Sequence, residues 1–122
     1  MKRSPTRSPG EALAEYKREI LDDIRRGLSG LPVRSGRWTY RTICTAVTEN
    51  FCRSQRELDQ LWCRAEFLET TWRWLNFPSG WWVKTHVSNW LTLRHGLALE
   101  IVEGDDGDTV VSWRIVRAEV QP

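Results

Sequence analysis

Residues 83–116 constrain the fold more than any other part of this chain. Val83, Val87, Trp90 and Leu91 recur at helical spacing, while Lys84, Thr85, Ser88, Thr92 and His95 fall on the opposite side. The segment therefore reads as a short helix with a polar outer face. Gly96 follows at once and supplies the left-handed turn that ends a helix. Leu97, Leu99 and Ile101 then alternate with polar or small neighbours, as a half-buried strand does. Val111, Trp113 and Ile115 are expected to face inward on the returning strand, beyond an acidic loop at Glu103–Asp108. The order is helix, glycine, hairpin.

Three more helices precede this unit. Ser8, Pro9 and Glu11 mark the start of the first, as N-cap, first-turn proline and capping-box acid. Leu13, Tyr16, Ile20, Ile24 and Leu28 form its stripe, and Gly27, Gly30 and Pro32 are expected to close it. The stretch from Val33 to Trp38 reads as a flexible, basic linker. Thr39 caps a second helix from Tyr40 to about Phe51. Ser54-Gln55-Arg56-Glu57 is a further capping box, opening a third helix whose stripe runs Leu58, Leu61, Trp62, Ala65, Leu68, Trp72 and Leu75. Pro78 and Gly80 break the chain, and Ser79 is placed to cap the fourth helix, at 81–95. The expected fold class is mainly α (α+β): a bundle of about four helices with a C-terminal β-hairpin. It forms a single domain over 8–122, after a disordered basic tail at 1–7.

With 122 residues the chain suits one hydrophobic core. No apolar run approaches the roughly 18–20 residues needed to cross a bilayer, and Met1-Lys2-Arg3-Ser4-Pro5 has no apolar stretch behind it. The expectation is a cytoplasmic protein without membrane contact. Cys44, Cys52 and Cys63 have neither zinc-site nor disulfide-framework spacing, so each is expected to act as a small buried hydrophobe on a helix. No cofactor or metal is implied. The net charge of +2 is unevenly spread. Basic residues dominate the first 41 positions and acidic ones the last 26. Between Glu69 and Glu100 there is no acid, while Arg73, Lys84 and Arg94 lie within. An acid-free, mildly basic stretch around the fourth helix suits a polyanion.

Thr85-His86-Val87-Ser88-Asn89-Trp90-Leu91, continuing to Arg94-His95-Gly96-Leu97, resembles the recognition helix and following strand of winged-helix (winged helix-turn-helix) DNA-binding regulators. The resemblance covers about a quarter of the chain. It implies a winged-helix-like domain whose fourth helix enters the major groove of duplex DNA. Lys84, Thr85, His86, Ser88, Asn89, Thr92 and Arg94 would then be the nucleic-acid-binding set. Hydroxyl and amide groups would meet base edges, and Lys84 and Arg94 would meet phosphate. It also implies a homodimer, with the first helix as the dimer contact. Arg34, Arg37 and Arg41, with Lys2, Arg3 and Arg7, form a second candidate phosphate contact, an arm beside the bundle. Asp105, Asp106 and Asp108 at the hairpin tip would repel phosphate, so the tip is expected to point away from a duplex or touch protein.

Eight tryptophans are many for this length. Trp62, Trp72, Trp90 and Trp113 fit core stripes; Trp38, Trp74, Trp81 and Trp82 do not. Exposed aromatics are enriched at protein interfaces. The alternative function is therefore a protein–protein interaction adaptor that uses a tryptophan-rich surface and the acidic hairpin, without nucleic acid. The acidic loop lacks the ligand register of a calcium site. No nucleophile elbow, phosphate-cradling glycine loop or zinc-protease motif is present, so no enzyme is expected. The function read from the sequence is DNA binding, as a small transcriptional or replication regulator.

Overall fold

The computed structural model describes residues 8–33, 38–105 and 109–119. The elements run α1 (Pro9–Leu28), α2 (Tyr40–Phe51), α3 (Gln55–Trp72), a 3-10 turn (Arg73–Leu75), α4 (Trp81–His95), β1 (Leu97–Glu103) and β2 (Val110–Arg117). This is the mainly helical α+β layout expected, with an antiparallel hairpin at the C-terminal end. Among the described residues no helix is long and apolar enough to cross a membrane.

The helix starts follow local chemistry. Ser8 Oγ accepts from Glu11 N at 3.2 Å, and Ser54 Oγ accepts from Glu57 N at 3.1 Å. Glu57 reaches back one residue further than a capping box requires, to Arg53 N at 3.3 Å. At Thr39 the reciprocal partner is a hydroxyl: Thr42 Oγ1 accepts from Thr39 N at 2.8 Å while Thr39 Oγ1 accepts from Thr42 N. α1 ends in paired bonds, Leu31 N to Arg26 O and Gly30 N to Gly27 O, which satisfy its last carbonyls.

α4 is the central element, packed on α2, α3 and β1. Val83, Val87 and Leu91 are fully buried beside Ile43, Cys44 and Val47 of α2, Ala65 of α3, and Val110, Trp113 and Ile115 of β2. Each such fully buried aliphatic side chain contributes roughly 1.5–3 kcal/mol relative to exposure. Across the hairpin end, Tyr40 Oη donates to Glu103 at 2.7 Å, tying α2 to β1.

Several expectations need correction. Gly27 does not stop α1; it lies inside the helix because a Cβ there would run into the ring of buried Trp113, 2.8 Å from Cε3 and nearer still to Cζ3 and Cη2. The ends of the supposed linker are pinned. Val33 is buried, donates to Trp113 O and accepts from Ser112 Oγ. Trp38 is core: it stands edge-on to Trp113 at 5.2 Å and donates from Nε1 to the buried Asp23 carboxylate at 3.0 Å. Trp72, assigned to the core stripe, is 38% exposed because α3 gives way there to the 3-10 turn. Val111 faces out and Val110 faces in. The register steps from Val102↔Ser112 to Glu103↔Val110, so an extra residue on β2 flips the alternation. Of the cysteines only Cys44 is a buried helical residue; Cys52 is the C-cap of α2 and Cys63 is exposed on α3.

Candidate nucleic-acid interface

The N-terminus of α4 is built by another helix. Gly80 is the N-cap at φ 85°, a conformation that favours glycine, and it brings no side chain to the first-turn N–H groups. Ser79, expected as the cap, does not serve. Instead Glu69 of α3 spans the helix start, accepting from Gly80 N at 2.5 Å and from Trp82 N at 3.0 Å. The carboxylate answers both the unpaired donors and the positive end of the helix dipole, so this end is not an open phosphate seat. Gly96 at φ 66° ends the helix and passes the chain into β1.

With Val83, Val87 and Leu91 turned inward, the predicted residues divide by helical spacing. Thr85, Asn89 and Thr92 recur at i, i+4 and i+7 on the outer side, with His86, Asn89 and Leu93 on the adjoining line. Asn89 and Thr92 are exposed, and Thr85 and His86 are half-buried. The hydroxyls of Thr85 and Thr92 donate to backbone carbonyls, of Trp81 at 2.9 Å and Leu97 at 2.8 Å, which leaves their oxygen lone pairs as the outward function. Burial, reinforced by the nearby positive charge of Arg64 on α3, holds the His86 pKa below the ordinary histidine value. His86 is therefore neutral at pH 7, a donor at one ring nitrogen and an acceptor at the other. Arg94 is exposed on the last turn, where it also complements the helix dipole.

Other predicted cations are engaged elsewhere. The Lys84 ammonium lies over the rings of Tyr40, at 5.5 Å, and Trp81, at 5.2 Å, so it covers the α2–α4 seam. Ser88 is half-buried on the same flank. His95 is held between Phe51 and Trp90, each 5.3 Å away. Arg41 makes a two-pronged pair with Glu66, at 2.5 and 3.1 Å, and that bond raises its pKa and lowers that of Glu66. Arg114 is committed to Glu100 at 2.7 Å. Arg34 and Arg37, the tail residues Lys2, Arg3 and Arg7, and the tip residues Asp106 and Asp108 lie outside the described residues.

Two neighbours escaped the sequence reading. Arg64 stands beside His86 and over the Phe67 ring at 5.7 Å, which places a cation next to the outer side of α4. Nothing in the sequence pairs α3 with α4 in that register. Leu93 is 86% exposed, the most exposed of the large apolar side chains among the described residues, on the polar side of α4. Its isolation from the Val83–Leu91 stripe is the signal that was available. Among the described residues, no group of three His, Cys, Asp or Glu side chains is placed to hold a metal ion.

No protein-family model matches the chain, and neither a curated protein nor a solved structure matches it.

Proposed function

We propose that the protein binds duplex DNA through the outer face of α4, as a small transcriptional or replication regulator of the winged-helix type acting in the cytoplasm. The supporting observation is the seating of α4. Its inner side is fixed on α2 and α3 by fully buried residues, its outer side keeps Asn89 and Thr92 exposed, and it runs through Gly96 straight into the hairpin. A rigidly backed helix with an exposed amide and outward hydroxyl lone pairs can present donors and acceptors to base edges in a major groove. In this reading Asn89 meets an adenine edge, Thr85, His86 and Thr92 add further polar contacts, and Leu93 meets a thymine methyl. Arg94 and Arg64 take phosphate. Arg34 and Arg37 stay in the proposal on sequence grounds as an arm. Lys84, Ser88 and Arg41 take a lesser part, because Lys84 lies over the Tyr40 and Trp81 rings, Arg41 pairs with Glu66, and Ser88 is half-buried.

The test is fluorescence anisotropy with a labelled random duplex. The Arg64→Glu/Arg94→Glu double variant is expected to weaken binding at least tenfold, with its melting temperature unchanged. Binding equal to that of the parent protein removes α4 from the proposal.

A second reading rests on a different observation. Trp74 is 70% exposed and Phe77 45%, beside Trp72 and stacked on Trp81, which makes an aromatic surface at the far end of α3. Such surfaces are typical anchors for protein partners, and this one would serve an interaction adaptor. A duplex that changes neither anisotropy nor tryptophan fluorescence favours the adaptor.

A further inference from the structure

The hairpin is covered along one edge and open along the other. Beyond β2, Val33 N donates to Trp113 O and Ser112 Oγ donates to Val33 O, so the segment leaving α1 closes that edge. Beyond β1 no further strand pairs among the described residues. In an antiparallel ladder, residues alternate between bonding across it and turning both backbone groups away from it. Three contacts fix the alternation here. Ala118 N donates to Gly96 O across the ladder, Thr92 Oγ1 reaches Leu97 O from outside it, and Trp113 O, opposite Ile101, faces Val33. Ala98, Glu100 and Val102 therefore bond to β2. Leu99 and Ile101 turn their N–H and C=O groups outward, where no hydrogen bond meets them among the described residues. The core runs out along the same line. Trp113 and Ile115 are buried, but Ile101 and Leu99, opposite them on the same face, are only half-buried.

We propose that the outer edge of β1 takes a further strand, an extended basic segment of a partner protein in which lysine or arginine alternates with apolar residues. Leu99 and Ile101 supply the backbone donors and acceptors of such β-strand addition. Apolar side chains of the segment extend the core beside Leu99 and Ile101, and its cations lie on the other face beside Glu100. Glu100 uses Oε1 for Arg114 at 2.7 Å, which leaves Oε2 to an incoming cation. Charge selects this occupant. Glu100, Glu103 and Asp105 lie on β1 and the turn after it, with no base between Leu97 and Asp105. The same acids disfavour a second copy. Two β1 strands paired about a two-fold axis with full overlap set Glu100 directly against Glu100, and like charges directly opposite destabilise a sheet. This inference rests on neither the DNA-binding reading nor the aromatic surface, and each can fail alone.

The test titrates the full chain into a labelled heptapeptide of alternating lysine and valine, read by fluorescence anisotropy. The peptide should bind, and its glutamate–valine counterpart should bind about tenfold more weakly at low salt. Glu100→Lys should reverse that preference while the thermal melt stays cooperative. N-methylation separates strand pairing from charge attraction. Methyl groups on one alternate set of the peptide's amides should abolish binding, and on the other set leave it unchanged. In amide-resolved hydrogen exchange, Leu99 and Ile101 should gain protection in the complex, whereas Ala98, Glu100 and Val102 are protected already. No binding, equal loss from both methylated peptides, or equal affinity for the two charge types overturns the proposal. So does a concentration-dependent dimer that protects Leu99 and Ile101 without peptide, which would assign the edge to a second copy.

Discussion

Glu69, eleven residues before Gly80, closes the N-terminus of α4 by accepting from the backbone of Trp82 at 3.0 Å and of Gly80 at 2.5 Å. It fixes how the central helix sits on α3. Removing the carboxylate leaves two partly buried N–H groups without acceptors. Glu69→Ala should therefore cost about 1–2 kcal/mol, the upper range for losing a helix cap. Glu69→Gln, which retains one acceptor oxygen, should cost less. Urea denaturation of the three proteins reads the order; equal midpoints would show the contact to be dispensable.

Two glycines in α1 should respond in opposite ways to the same change. Gly27→Ala pushes a methyl group into the Trp113 ring, and overpacking of this kind costs about 1–3 kcal/mol, more than the helix-propensity gain offsets. Nothing lies within 4 Å of a Cβ at Gly10. Gly10→Ala should be neutral or stabilising by about 0.4–1 kcal/mol. Thermal melts distinguish the pair.

What could be read from the sequence was whatever depends on neighbours along the chain. Thr39 and Thr42 are three residues apart, and α2 spans Tyr40–Phe51 as its cap and stripe predicted. Gly96 marks the end of α4 for the same reason. The errors arose where a partner came from another element. Ser79 was the nearest capping residue, but the acceptor is Glu69 on α3. The fold also sets Tyr40 and Trp81 against Lys84 and Glu66 against Arg41, partners that no local spacing shows. Val111 fits a period of two, and one extra residue on β2 is enough to turn it outward. The candidate site was therefore half legible: helical spacing gave Thr85, Asn89 and Thr92, but only tertiary packing gave Arg64.

The three thiols should differ in reactivity. Burial pushes the Cys44 thiol up to about 12, and burial with Glu57 nearby pushes Cys52 up to about 11. Cys63 is exposed on α3. A thiol reagent at pH 8 should label Cys63 first and Cys44 only on unfolding, since the thiolate is the reactive form. Mass spectrometry of the labelled chain locates the modification, and early label on Cys44 would contradict the burial assigned to it.

Stability should fall on the acid side of neutrality through His86. Its folded pKa lies below the ordinary value, so the unfolded chain binds the proton more readily. The contribution is fully present above the unfolded histidine pKa of about 6.5 and is lost as pH falls through the folded one. His86→Gln should flatten this part of the stability–pH profile. A profile of the same shape in the variant would assign the acid sensitivity to another group.

The most direct test of the central claim is the salt dependence of binding between the full chain and a random duplex. Phosphate contacts release counterions, and log Kobs falls against log salt with a slope of about −0.9 per contact. Contacts from Arg64 and Arg94, with Arg34 and Arg37 joining from the arm, give an expected slope between about −2 and −4. A slope in that range, reduced by about two in Arg64→Glu/Arg94→Glu, is the predicted result. No binding at low salt, or a slope indistinguishable from zero, would contradict the account.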